Sequence, residues 1–229
     1  MLNIFHHRES SLLEATRKER QEAIENLISQ GTLRSGYYLM LMLATLIVTP
    51  GLLLDNVSII IGGMILAPLI VPILSLSLAL VSGNVRGMVR SVGILTLSIL
   101  LVFTTSLIMT VVLSQTYTEP THFISDQIRP GIFVFIAFCS GIAGAFSFVK
   151  KNLSQAIAGV AVSVSLLPPI CAAGIGMALK KYSLMNNSLI LLGANFVGIC
   201  MAAFIVFWIL GFLDSGRAEE KAIEKEGKE

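Results

Sequence analysis

The sequence predicts an all-α fold, a polytopic membrane bundle of six transmembrane helices, on three observations. Of 229 residues, 55% are hydrophobic and only 13% charged, about half the charged share of an average soluble domain, so the chain cannot clothe a water-facing surface. Its charges are segregated, most of them in residues 1–35 and 214–229. Between those ends the chain resolves into apolar runs of roughly 20 residues, the length a helix needs to cross hydrocarbon. The expected organisation is a cytoplasmic amphipathic head (1–35), a six-span membrane domain (36–213) and a charged cytoplasmic tail (214–229).

The head carries a helix-start signal in Ser11 with Glu14 three residues on, a glycine stop at Gly31, and an apolar edge at Leu13, Ile24, Leu27 and Ile28. It reads as a short helix over 10–30, and its mixed charges leave open a membrane-surface helix, a solvated helix or a subunit contact. No secretory signal is expected, because the first long apolar run starts only near Gly36. The six runs are Gly36–Leu54, Val57–Val81, Ser91–Leu113, Gly131–Val149, Leu153–Leu179 and Asn187–Leu213. The tail from Arg217 onward reads as a frayed, solvated extension of span six.

Orientation follows from the side on which Lys and Arg collect. With the N-terminus inside, thirteen of the sixteen fall on the inner side: Arg8, Arg17, Lys18, Arg20, Arg34, Arg86, Arg90, Lys150, Lys151, Arg217, Lys221, Lys225 and Lys228. Only Arg129, Lys180 and Lys181 fall outside, which places both termini in the cytoplasm. Spans two and five carry prolines, and if both were re-entrant hairpins the split would fall to ten against six. The straight six-span topology fits better.

Sliding the chain against itself reveals an offset of 96. Asn56, Ser58, Ile61, Gly63 and Pro72 fall on Asn152, Ser154, Ile157, Gly159 and Pro168. Composition alone would supply a match or two, but these are residues that start helices, permit close approach or remove a backbone donor. Three spans per repeat would invert the second half relative to the first, giving a 3+3 inverted repeat. Corresponding Pro- and Gly-interrupted helices then point to a midplane site, because each break frees backbone groups that lipid cannot satisfy. The interruptions are Gly62, Gly63, Pro68 and Pro72 in span two, and Gly159, Pro168 and Pro169 in span five. The bland alternative is a proline kink repaired by hydroxyls or water.

No Asp, Glu, Lys, Arg or His lies deep within a span, which argues against a carboxylate-driven proton pump. The interior polar groups are neutral: Ser75, Ser77, Ser163, Ser165 and the lone amide Asn195, which either contacts a solute or hydrogen-bonds across helices. Cys139, Cys171 and Cys200 are odd in number and sit in apolar runs, so they read as packing residues. No nucleophile triad, metal spacing or nucleotide-binding loop is present, so no enzymatic activity, cofactor or metal is expected. A net charge of +2 gives no reason to expect nucleic acid. The expected partners are the lipid bilayer, a small solute or ion, and further copies of the chain.

The run Gly62-Gly63-Met64-Ile65-Leu66-Ala67-Pro68-Leu69-Ile70-Val71-Pro72, then Ser82-Gly83-Asn84, and later Ser165-Leu166-Leu167-Pro168-Pro169 with Asn195-Phe196, resembles the prokaryotic uncharacterised hydrophobic domain family, domain of unknown function 389. The resemblance covers roughly residues 36–213, and its first motif is fairly specific. It implies a multi-pass protein of a bacterial or archaeal cytoplasmic membrane and supplies no mechanism. Some relatives carry a longer soluble domain, and the short head and tail here depart from that pattern. The expected function is a transporter or channel for a small solute or ion, its path lined near Gly62, Gly63, Pro68, Pro72, Gly159, Ser165, Pro168, Pro169 and Asn195. The alternative is a non-transporting membrane scaffold or assembly subunit.

Overall fold

Backbone polar groups surrounded by lipid must be satisfied within the segment, and the apolar runs accordingly fold as helices. The computed structural model describes residues 15–30, 35–113, 130–150 and 155–226, with the side chains of 155–165 outside the described part. Its helices are α1 (Arg17–Gln30), α2 (Ser35–Leu53), α3 (Val57–Leu66), α4 (Ile70–Ser82), α5 (Val85–Leu113), α6 (Pro130–Val149), α7 (Gln155–Ala178), α8 (Tyr182–Ile209) and α9 (Gly216–Glu226), with a 3₁₀ turn at Leu213–Ser215. Four of them, α2, α5, α6 and α8, are long and apolar enough to cross a membrane. The α3–α4 pair makes a fifth span if it is taken as one bent crossing. Among the described residues the bundle thus has four to five candidate spans rather than six, because the second run splits in two and only Leu166–Ala178 of the fifth is described with its side chains.

Helix α7 is the centre of the bundle. It packs against α2, α3, α4, α5, α6 and α8, and every residue from Leu166 to Gly176 is buried. A helix that is apolar all round is stable only when enclosed in this way. Small residues let its neighbours close in. A Cβ on Gly174 would lie 2.8 Å from the Phe103 carbonyl oxygen of α5. The same device joins α6 to α8, where a Cβ on Gly141 would lie 2.7 Å from the Ile199 carbonyl and one on Gly198 would lie 3.1 Å from that of Val134. Such close approach is how membrane helices associate, since lipid offers no hydrophobic drive between them.

Several hydroxyl groups inside the bundle spend their donors on backbone. Thr45, Ser77, Ser98 and Thr110 donate to the carbonyl four residues earlier, at 2.7–3.0 Å. Two hydroxyls also tie helices together: Ser106 Oγ donates to the Cys171 carbonyl across α5 and α7 at 2.8 Å, and Tyr37 Oη lies 3.0 Å from Ser98 Oγ across α2 and α5.

The head and tail meet at one end of the bundle. Helix α1 starts later than expected: its capping box is Thr16–Glu19, with Glu19 N–H donating to Thr16 Oγ1 at 3.2 Å and Thr16 N–H to Glu19 Oε2 at 2.7 Å. The expected Ser11–Glu14 signal and Gly31 stop lie outside the described residues. The predicted apolar edge is real, with Ile24, Leu27 and Ile28 buried against α9, α4 and α6 rather than laid on lipid. Burial works against the charge on Glu19, but the Thr16 donors and Lys150, whose Nζ lies 3.2 Å away, outweigh it and hold its carboxyl below the usual range.

The tail corrects the expectation of a solvated extension. Gly211, at φ +78°, turns the chain out of α8 in a left-handed conformation that glycine adopts without strain. Arg20 Nη1 donates to its carbonyl at 2.8 Å. Helix α9 then folds back along α1 and buries Glu219, which accepts from Ser82 Oγ at 2.6 Å and lies against Gly87. The bare backbone of Gly87 makes the room for that carboxyl. Desolvation by burial raises the Glu219 pKa, against the smaller opposing effects of Ser82, Asn84 and Arg90.

Two expected outcomes test this packing. A Cβ on Gly63 would lie 2.6 Å from Val48 Cγ2 of α2, whereas one on Gly62 meets nothing within 4 Å. Gly63→Leu should therefore lower the stability of the detergent-solubilised protein by about 1–3 kcal/mol, and Gly62→Leu should leave its melting temperature unchanged or higher. The raised pKa of Glu219 means that the docked tail prefers the protonated carboxyl. Its contribution is fully present below the ordinary glutamate value and is lost as pH rises through the raised one. Hydrogen exchange of the α9 amides, corrected for the intrinsic pH dependence, should become less protected over that rise, and Glu219→Gln should flatten the profile.

Candidate functional site

The break in span two is where the motif residues act on the backbone. Ala67 precedes Pro68, and a residue before proline is driven out of the α region. Ala67 adopts φ −79° and ψ 118°, its N–H still closing on the Met64 carbonyl, and the axis turns by 54° between α3 and α4. Pro68 sits in the break, half-buried, and Pro72 is buried in the first turn of α4, where a missing N–H costs no helical bond. The N–H groups of Ile70 and Val71 in that same turn have no helical acceptor by position. At 1.5 Å per residue, α3 is about 15 Å long and α4 about 20 Å, so the break falls near half-height.

Span five behaves differently, and this corrects the expectation of two matched breaks. Helix α7 runs unbroken from Gln155 to Ala178 through Pro168 and Pro169, both buried. The two prolines remove two donors, so the carbonyls of Val164 and Ser165 lose their usual partners four residues on. The 96-residue offset therefore pairs a proline in a first helical turn, Pro72, with one in a helix interior, Pro168. Burial does not separate the two sites, since Ala67, Leu69 and Ile70 at the joint are buried like Pro168 and Pro169.

The structure brings the break and the proline pair to one cavity of about 210 Å³. Leu69 and Ile73 at the start of α4, Leu95 and Ile99 of α5, Leu166 and Ile170 of α7, and Leu189, Leu192, Gly193 and Phe196 of α8 line it. Every lining residue is apolar or glycine. The prolines thus flank an apolar space rather than the polar cavity expected from freed backbone groups. Sequence reasoning missed its walls, although Leu69, Ile73, Leu166 and Ile170 all lie within a residue or two of the prolines it singled out.

The remaining motif residues separate. Gly63 faces α2 as a packing residue, and Gly62, a residue earlier and about 100° round the helix, is exposed. Asn195 is buried on the face of α8 that carries Gly198 and Ala202, three and seven residues on, and that face meets α6. It does not line the cavity. Gly159 lies in the second turn of α7, and its surroundings, like the side chain of Ser165, are outside the described part. A second cleft, of about 730 Å³, lies elsewhere, between α1 and α9, and is lined by charged residues of both signs, including Glu25, Asp214, Arg217, Lys221 and Lys225. Among the described residues no group of His, Cys, Asp or Glu is arranged to hold a metal ion.

Comparison with known proteins adds membership without chemistry. The family described as Domain of unknown function (DUF389) matches residues 64–201, a stretch from the end of α3 into α8 that contains the break, both proline pairs and Asn195. An uncharacterized protein of the archaeon Methanocaldococcus jannaschii is 29% identical over 193 residues, 83% of this chain. The chain spans 59% of that relative's length. No solved structure matches. With more than half of its length matched, from the break through the central helix, the chain belongs to the DUF389 family.

Proposed function

We propose that this protein is a transporter or channel for a small solute or ion in a prokaryotic cytoplasmic membrane, with the α3–α4 joint and α7 as its working elements. The observation that carries this reading is the 54° break near half-height, set against the helix that carries Pro168 and Pro169. Discontinuous helices at the midplane are where secondary transporters expose backbone groups to substrates and ions. No charged residue lies deep within the described parts of the spans, Arg86 and Arg90 standing in the first two turns of α5, which fits a neutral path better than a proton relay. A six-crossing topology with both ends cytoplasmic is supported by the meeting of α1, α9, the α4–α5 turn and the ends of α6 and α8 at one end of the bundle. The inverted-repeat part of the reading rests on the sequence offset alone, and the unlike prolines weaken it. Assembly into homo-oligomers belongs to the same proposal.

A second reading, a membrane scaffold or assembly subunit, is favoured by two observations. Gly63, Gly141, Gly174 and Gly198 all serve close helix contacts, and the cavity beside the prolines is apolar. Flux decides between the two. Protein reconstituted into liposomes should move at least one member of a broad panel of ions and neutral solutes. Pro68→Ala, which permits α3 and α4 to merge, should cut that flux at least tenfold with insertion intact. Wild-type liposomes as tight as empty ones across the panel would favour the scaffold.

Orientation has its own test. In a background with Cys139, Cys171 and Cys200 replaced, a membrane-impermeant maleimide added to intact cells should label Lys180→Cys and spare Arg217→Cys. The reverse pattern would invert the topology.

A further inference from the structure

The gap that forms the cavity comes from how four helices meet. Helices α5 and α8 both pack against α4 and α7 but make no substantial contact with each other. The result is a groove with α4 and α7 as its floor and α5 and α8 as its walls. The floor is closed: Leu69, Ile73, Leu166 and Ile170 are each no more than 2% exposed. The rim is open, with Leu189 43% exposed, Gly193 exposed, and Ile99 and Phe196 half-buried. Depth can be read along the walls. Leu95 and Ile99 lie about 15 and 21 Å into α5, a helix about 43 Å long, and Leu189–Phe196 lie about 10–21 Å into α8. The groove therefore opens near half-height, within the hydrocarbon layer.

From this geometry we infer that the groove between α5 and α8 is a binding site for a single lipid acyl chain. An apolar space excludes water, and an unfilled one forfeits the dispersion contacts of its lining. The substance that faces the rim at this depth is hydrocarbon. At 210 Å³ the space is smaller than the roughly 300–1,000 Å³ of sites that enclose a drug-sized ligand, so it takes a length of chain rather than a drug-sized molecule. No lining side chain offers a hydrogen bond to a headgroup, so recognition is of the chain alone. Gly193 keeps the entrance clear: a Cβ there would meet nothing within 4 Å, and a larger side chain could reach into the gap. Because the groove touches both the α4 side of the break and the proline turn of α7, the acyl chain is a neighbour of the joint whatever that joint does.

The site is tested in nanodiscs of phosphatidylcholine doped with a phosphatidylcholine that carries a diazirine at mid-chain, with photolabelled positions mapped by mass spectrometry. The floor residues Leu166 and Ile170 separate site lipid from the lipid that coats any membrane protein, whose tails reach only exposed positions such as Leu97 and Leu100. Wild-type protein should be labelled on the floor. Gly193→Phe should reduce floor labelling at least fivefold and leave Leu97 and Leu100 unchanged, while Gly193→Ala should label like wild type. Gly193→Leu serves in place of Gly193→Phe if the latter does not fold. An unlabelled floor in the wild-type protein, or floor labelling indifferent to the large substitutions, would overturn the site. So would efficient cross-linking of Leu189→Cys to the same residue of a second copy by a short bismaleimide, since a second chain would then fill the groove.

Discussion

Between Leu166 and Gly176, α7 has no side that reaches lipid, and the rest of the bundle is arranged by that enclosure. Six helices share its surface, and each must come close enough to leave no void. Gly174 brings α5 close enough for Ser106 to donate to the Cys171 carbonyl. The α6–α8 pair closes through Gly141 and Gly198 on the flank of the same helix. Where two of the surrounding helices fail to meet, between α5 and α8, the enclosure leaves an apolar groove beside the prolines.

Prolines have opposite effects in two helices. Before Pro68 the chain leaves the α region at Ala67, which is itself buried. Around Pro168 and Pro169 the enclosed helix keeps its helical course and loses two hydrogen bonds. A joint and a weakened rod lie side by side on the two faces of one groove. Both fit an element built to move, and both fit an element built only to pack, which is why the functional reading turns on flux rather than on shape.

At the end of the bundle the polar segments are part of the fold. Glu19 holds Lys150, Arg20 holds the Gly211 carbonyl, and α9 places Glu219 on the α4–α5 turn, so head and tail are pinned to α6, α8, α4 and each other. The exposed pairs of Arg86 with Glu220 and Glu224, at 3.4 and 3.6 Å, add little stability beside these buried ones.

Membrane residence, helical class, the apolar edge of α1 and the interruption at Pro68 were legible because each follows from local chemistry: hydropathy over some 20 residues, a periodicity, or a proline's effect on the residue before it. Asn56 likewise caps α3 as its side chain and position imply, accepting from Ser58 and Ile59 N–H at 3.1 and 3.2 Å. The family motif was legible too, since it overlies the break itself. What the chain alone did not reveal depends on partners far along it. Which neighbour Gly63 is pressed against, whether Pro168 breaks a helix or rides inside one, and whether α9 frays or docks are decided by the residues that surround them in space. Hydropathy and spacing report what a segment can tolerate, and only the packed neighbours around α7 decided which of the tolerated conformations each segment took.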